Sequence, residues 1–220
     1  MTTYVVRVWV PDRPGALGAV ASRIGAVRGD LVGIDILERG GGRAIDELVV
    51  ELPSDDLVPL LVAEMGQVDG VDVEDVRPAP GFGHDPRLDA LETAAVLVEQ
   101  ASEEALFSVL VERAQADFEA DWAVVVDLAS AESVATAGPA PTPRWLEAFL
   151  EGAGSSAVLS TGNGGPDDMA WANLTPGRLS VVLGRLGRPL RARERHQLVA
   201  LARIAESRRR ELAARSGARL

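Results

Sequence analysis

Strand and helix patterns alternate through the first 78 residues, and this order constrains the fold more than any other feature. Apolar side chains occupy every second position of residues 4–10, which is typical of a strand with one buried face. Residues 11–15 contain two Pro and one Gly, which end the strand and open a helix. Strand, strand, helix and strand patterns follow at 31–38, 44–52, 57–65 and 70–76. The order predicts a βαββαβ ferredoxin-like unit with an α+β fold.

A Pro- and Gly-rich segment follows this unit. Residues 79–86 contain two Pro and two Gly and predict a linker. Beyond it, residues 87–118 predict one long helix or two joined helices, and strands, a short helix and a last amphipathic helix follow. We therefore predict two domains, 1–78 and 87–220. We expect an α+β fold with an antiparallel sheet in the second domain.

The side chains that most enzymes use are scarce in this chain. It has no Cys, and all 22 basic residues are Arg, which excludes thiolate nucleophiles, Schiff-base lysines and P-loops. The only His are His84 and His196, and neither has a second His or a carboxylate at metal-ligand spacing. We therefore predict no catalytic residues, no metal site and no cofactor, and we expect a protein that is not an enzyme.

The sequence also gives expectations about the compartment. No uncharged apolar run approaches the ~18 residues that a membrane helix needs. The first residues lack the basic start and apolar block of a secretion signal. We expect a cytoplasmic protein that makes no contact with a membrane.

The turn between the first strand and the first helix carries a specific motif. A Pro-Gly turn exposes backbone N–H groups at a helix N-terminus, where partial positive charge favours a carboxylate. Gly15 allows a ligand to approach the backbone, and Asp12 is an acceptor suited to an α-ammonium group. The motif is Asp12-Arg13-Pro14-Gly15-Ala16-Leu17-Gly18. The first strand, this turn and the βαββαβ order together resemble the ACT domain, a regulatory module that usually binds amino acids.

The resemblance implies where a ligand would bind. ACT domains typically pair edge to edge and hold the ligand between this turn and the start of the second strand of a partner subunit. Amino-acid-binding members often have Asn at the start of that strand, where this chain has Leu31, so a side-chain amide contact is missing. The implied ligand-binding residues are Asp12, Arg13, Pro14, Gly15, Ala16, Leu17, Leu31, Val32, Gly33, Ile34 and Asp35.

The second half resembles GAF-type sensory domains in its layout of long helix, antiparallel sheet, loop-rich middle and terminal helix. Residues 179–195 carry most of this resemblance. It implies a pocket over the sheet with Trp145 and Trp171 as walls, and the alternative places both indoles in the core. Residues 160–166 are Gly-rich but lack a Lys and a phosphate-loop spacing, so a hairpin loop is favoured over an anion-binding loop.

Charge is distributed unevenly along the chain. Residues 178–220 hold twelve Arg and three Glu, a net charge of +9, whereas residues 1–177 carry −20. The run of three Arg at 208–210 is a candidate for phosphate contacts. However, residues 85–121 carry −8, and GAF-type domains commonly bring their first and last helices together. We therefore favour pairing of the two oppositely charged helices over nucleic-acid binding.

These observations favour a non-enzymatic regulatory protein. We expect a homodimer that binds an amino acid or a similar small carboxylate across its two ACT-like domains and passes the change to a protein partner. The alternative is an assembly or interaction module, such as the regulatory subunit of a metabolic enzyme, in which the same turn is an ordinary strand-to-helix turn and no ligand binds.

Overall fold

The computed structural model describes residues 1–79, 86–155, 168–175 and 178–217. The chain divides into two compact units, Met1–His84 and Asp85–Leu220. Most of the predicted linker and the whole Gly-rich loop 160–166 lie outside the described residues. The predicted domain boundaries stay predictions. None of the described helices is long and apolar enough to cross a membrane.

The first unit is a four-stranded antiparallel sheet packed against two helices. Its elements are β1 (Thr2–Pro11), α1 (Ala16–Ala26), β2 (Asp30–Gly40), β3 (Arg43–Leu52), a single 3-10 turn (Asp55–Leu57), α2 (Val58–Met65) and β4 (Asp72–Pro78). The strands lie in the order β2-β3-β1-β4, and all three pairs are antiparallel. This is the ferredoxin-like arrangement, so the predicted fold of this unit is confirmed.

The two helices cover one face of this sheet, which we call the inner face. Successive side chains of a strand point to opposite faces, so alternate residues build the core. The buried inner-face residues include Val6, Val8, Leu48 and Val50, which pack with Val20, Ile24, Leu61 and Met65 of the helices. The opposite, outer face carries Arg7 and Trp9 of β1 beside Glu47 and Ile45 of β3.

The second unit is also α+β, as predicted. Its elements are α3 (Pro86–Glu99), α4 (Glu103–Asp117), β5 (Trp122–Asp127), β6 (Glu132–Ala137), α5 (Pro143–Ser155), β7 (Met169–Thr175), β8 (Leu179–Gly184) and α6 (Ala192–Gly217). The first helical stretch is two helices, because Ser102 caps α4 by accepting a hydrogen bond from the Ala105 N–H at 3.2 Å.

The second sheet has the order β6-β5-β8-β7 and is antiparallel throughout. It has a hydrophobic core on each face. On one face Val125 and Val181 pack with Leu110 of α4 and Leu198 of α6. On the other face Val124 and Val182 pack with Leu146 and Leu150 of α5. The resemblance of this unit to GAF domains stays a prediction.

Candidate functional site

The turn between β1 and α1 is held by backbone hydrogen bonds. The Asp12 N–H donates to the Gly42 carbonyl at 2.9 Å, and the Arg13 N–H donates to the Pro11 carbonyl at 2.8 Å. Gly15 has φ +86, a left-handed conformation that side chains rarely adopt, although the space around its Cα is open. The turn therefore needs glycine for its backbone conformation and leaves open space at that position.

The N-cap residue of α1 is Gly15, and no side-chain cap of this helix is found among the described residues. The Ala16 N–H donates to the Arg13 carbonyl at 3.3 Å, and the first bond of the helix runs from the Ala19 N–H to the Gly15 carbonyl at 3.0 Å. The intervening N–H groups, of Leu17 and Gly18, belong to the first turn, where a helix supplies no acceptor. No acidic residue lies in that turn. The helix end thus offers donors and partial positive charge to an anion.

Strand β2 forms an open edge of the first sheet. It pairs with β3 on one side only. Its exposed apolar side chains are Val32, Ile34 and Ile36, each more than a third exposed. An open edge with apolar side chains favours pairing with a strand of another chain.

The predicted ligand-binding residues form two groups. Residues 12–17 lie together at the turn, and residues 31–35 lie away from it at the start of β2. Asp12, Pro14 and Gly15 are exposed at the turn, and Ala16 is buried beneath it. Both Pro11 and Gly40 pair with Arg43, so the end of β2 lies near the turn. Leu31, which pairs with Val50, lies at the start of β2, roughly 26 Å of extended strand from Arg39. Within one chain, the start of β2 does not meet the turn.

Sequence reasoning missed the polar residue that the fold buries nearest to this end of the sheet. Asp46 of β3 is 4% exposed and lies on the inner face, where its register partners are Val8 of β1 and Ile36 of β2. Within the described part of the chain its Oδ1 atom has no hydrogen-bond partner. A signal was present, because Asp46 occupies the same alternating row as Ala44, Leu48 and Val50.

The electrostatics of Asp46 are unfavourable for its ionised form. Burial raises the pKa of this carboxyl, the charge of Arg39 lowers it, and the charge of Asp12 raises it further. Burial and Asp12 together outweigh Arg39, so the pKa lies above its usual range. A further positive charge beside Asp46 would favour its ionised form.

The outer face of the same sheet carries a charged cluster. Glu47 Oε1 accepts hydrogen bonds from Nε and Nη2 of Arg7 at 3.1 and 2.8 Å, and from Nη2 of Arg77 at 2.9 Å. Burial alone would raise the pKa of Glu47, but the two guanidinium groups outweigh it and lower the pKa. Beside this cluster, Nε1 of Trp9 donates to Glu74 at 2.7 Å, and the Arg43 guanidinium lies 5.0 Å from the Trp9 ring centre.

The two tryptophans predicted as pocket walls both contact Phe149. The Trp145 and Phe149 rings stack at 5.5 Å, and the Trp171 ring meets Phe149 edge-on at 5.3 Å. Trp145 is 48% exposed, so it does not lie in the core. Trp171 is half-buried against the core on the α5 side. The effector pocket itself stays a prediction.

The basic last helix packs beside α3 and α4. Arg208 donates to the Gln100 carbonyl at 2.7 Å, and Arg209 lies 4.0 Å from Glu103 of α4. The other pairs of the Arg run are within α6, to Glu206 and Glu211. His196 is exposed on this helix. Among the described residues no group of three His, Asp or Glu side chains could hold a metal ion.

Comparisons with known proteins give only distant likenesses. No protein-family model matches the chain, and the curated proteins give no match. Among solved structures, the ACT domain of GTP pyrophosphokinase from Chlorobium tepidum is 17% identical over 36% of this chain and 97% of its own, with a TM-score of 0.29. A formyltetrahydrofolate deformylase from Pseudomonas putida is 17% identical over 40% of this chain and 36% of its own, with a TM-score of 0.30.

A third solved structure extends over nearly the whole chain. It is an unknown protein from Galdieria sulphuraria that is 14% identical over 94% of this chain and 92% of its own, with a TM-score of 0.33. At these identities and scores, none of the three structures assigns this chain to a family.

Proposed function

We propose that this chain is a non-enzymatic regulatory protein that binds an amino acid or a similar small carboxylate at the N-terminus of α1. The observation that carries the proposal is the uncapped first turn of α1 behind the Asp12–Gly15 turn, where backbone donors and open space at Gly15 coincide. A ligand carboxylate accepts from the N–H groups of Leu17 and Gly18.

The site is completed by a second copy of the chain. An antiparallel pairing of two β2 strands brings the start of one strand to the end of the other. Residues 31–35 of one copy then lie beside the turn of the other copy, a distance that they do not cover within one chain. The exposed apolar side chains of β2 support this pairing. Because the ligand contacts both copies, binding stabilises the dimer.

Ligand binding regulates by changing the geometry of the dimer. A ligand that prefers one dimer geometry shifts the population towards it, and the second unit passes the change to a protein partner. The protein acts in the cytoplasm, and it does so without catalysis or a cofactor.

A thermal-shift screen against the twenty amino acids and common nucleotides tests this function. A ligand at 100 times its dissociation constant stabilises the native state by about 2.7 kcal/mol. The same screen on Gly15→Val, where a side chain meets the left-handed backbone, is expected to lose the shift. Gly25→Val is the matched control, since Gly25 lies in the same helix with open space around it. Each shift is measured against the variant's own unliganded midpoint.

The outcomes separate the alternatives. A shift that disappears in Gly15→Val and persists in Gly25→Val supports the site at α1. A shift that persists in both variants moves the site elsewhere. If no compound shifts the wild type, the regulatory function by amino-acid binding fails.

An assembly module without a ligand is the second candidate, and the open apolar edge of β2 favours it independently of any ligand site. It predicts a dimer that no amino acid stabilises. Light scattering on the wild type and on Ile34→Lys tests the edge, because a charge there opposes strand pairing. A wild type that is monomeric at every concentration rules out both candidates.

A further inference from the structure

Among the described residues, Asp46 is a buried carboxylate whose Oδ1 atom has no hydrogen-bond partner, and it lies towards the predicted ligand end of the sheet. Asp46 is 4% exposed, and the alternating row around it is apolar. Buried charges in proteins are paired or hydrogen-bonded, because removing an ionised carboxylate from water is costly. An oxygen that the described residues leave without a partner is therefore a candidate for a ligand contact.

Two described groups lie close enough to act on the charge of Asp46. Asp12 raises its pKa and Arg39 lowers it. The described residues show no ion pair or hydrogen bond between Asp46 and either group, and Oδ1 of Asp46 has no hydrogen-bond partner. Arg39 is exposed at the end of β2. Val8 and Val10 belong to the inner-face row of β1, and Asp12 follows the strand directly after Pro11, so both carboxylates lie towards the same end of the sheet.

The charges at this end are arranged in two sets. One set is positive and consists of the uncapped N-terminus of α1 and the exposed Arg39 guanidinium. The other set is negative and consists of Asp12 and Asp46. A plain carboxylate would complement the first set only, and would leave Asp46 buried beside a further negative charge. A molecule with both a carboxylate and an ammonium group complements both sets.

We propose that Asp46, together with Asp12, receives the ammonium group of the ligand, and that the site therefore binds amino acids and rejects carboxylates that lack an amine. This inference rests on the proposed function, since it concerns the same site. The amine is either the α-ammonium group or a side-chain ammonium group.

The experiment compares ligands that differ only in the amine. Calorimetric titration uses each amino acid that shifts the wild type, its 2-hydroxy acid analogue and its decarboxylated amine. We expect the hydroxy acid to bind about ten- to a hundredfold more weakly than the amino acid, as for loss of a charge-assisted hydrogen bond. For a basic amino acid, the analogue without the side-chain amine distinguishes the two sources of the ammonium group.

Variants test whether Asp46 causes the preference for ligands that carry an amine. Asp46→Asn is expected to weaken amino-acid binding about ten- to a hundredfold and to leave hydroxy-acid binding unchanged. Glu51→Gln is the matched control, because Glu51 lies on the same strand but on its outer face. Asp12→Asn, at an exposed position, is the second variant if Asp46→Asn does not fold, and the same loss of amine preference is expected.

The possible failures are distinct. If the wild type binds amino acids and hydroxy acids equally, or if Asp46→Asn binds amino acids like the wild type, the inference is wrong while the proposed function stands. If the wild type binds neither class of compound, the proposed function and the inference fail together.

Discussion

Asp46 and Glu47 are adjacent in β3 but lie on opposite faces of the sheet, and among the described residues only Glu47 is paired with positive side chains. Glu47 on the outer face accepts from Arg7 and Arg77, and its pKa is lowered despite burial. Asp46 on the inner face has an oxygen without a partner, and its pKa is raised. A carboxylate with a structural role, such as Glu47, has its hydrogen-bond partners within the same unit. A carboxylate that is left unsatisfied at an open end of the sheet is a candidate for a ligand contact.

The largest expected effect comes from breaking the outer-face cluster. Glu47→Gln removes the charge that faces the buried Arg7 guanidinium, whose side chain is 1% exposed. Removing one partner of a buried pair typically costs about 3 kcal/mol or more. Urea unfolding should show this loss, with Glu51→Gln as the control within about 0.5 kcal/mol of the wild type. A loss as small as the control's would mean that the cluster does not stabilise the fold.

The same cluster predicts how the stability of the wild type depends on pH. Because the folded-state pKa of Glu47 is lowered, its contribution is present above the unfolded-state pKa and is lost as the pH falls through the folded-state pKa. Unfolding free energies of the wild type and Glu47→Gln should therefore converge in acid. Curves that stay parallel from neutral to acidic pH would contradict this assignment.

Asp46→Asn is expected to change stability in the opposite direction. The folded-state pKa of Asp46 is raised, so its ionised form destabilises the unliganded protein above that pKa, and the penalty disappears as the pH falls below the unfolded-state pKa. The variant should be more stable than the wild type at neutral pH by about 1 kcal/mol. Thermal unfolding without ligand measures this difference. A variant that is less stable at neutral pH would indicate that Asp46 has a structural role.

The smallest expected effect is a change in the pKa of Asp46 on the inner face. Arg39 lowers the pKa of Asp46, so Arg39→Gln should raise that pKa further. The carboxyl carbon of Asp46, followed by NMR through an acid titration, reports the change. The global stability should change little, because Arg39 is exposed. An unchanged titration midpoint would show that Arg39 does not act on this carboxyl.

The sequence predicted the layered parts of the fold because they follow local periodicity. The βαββαβ order rests on short runs whose apolar spacing differs between strand and helix. The outer-face cluster was not predictable in this way, since Arg7 and Glu47 are 40 positions apart and meet only through strand register. The break between α3 and α4 was visible in principle, because Ser102 followed by two Glu is a helix-start pattern.

The candidate site was predicted only in part for the same reason. Residues 12–17 form one local turn, so the motif was sufficient to find them. The placement of residues 31–35 depends on the β2–β3 register, which puts them at the far end of β2. Asp46 was detectable from its place in an apolar alternating row, but what lies opposite that row is a property of the folded sheet.

Trp9 gives the first unit its own optical signal. It is the only Trp in that unit, because the other three lie at 122, 145 and 171. Its indole N–H is bonded to Glu74, and the Arg43 guanidinium lies over its ring. Emission from this indole is therefore sensitive to any rearrangement of the strand end that leads into the Asp12–Gly15 turn. With the other three Trp replaced by Phe, fluorescence of the chain would report occupancy of the site without a label.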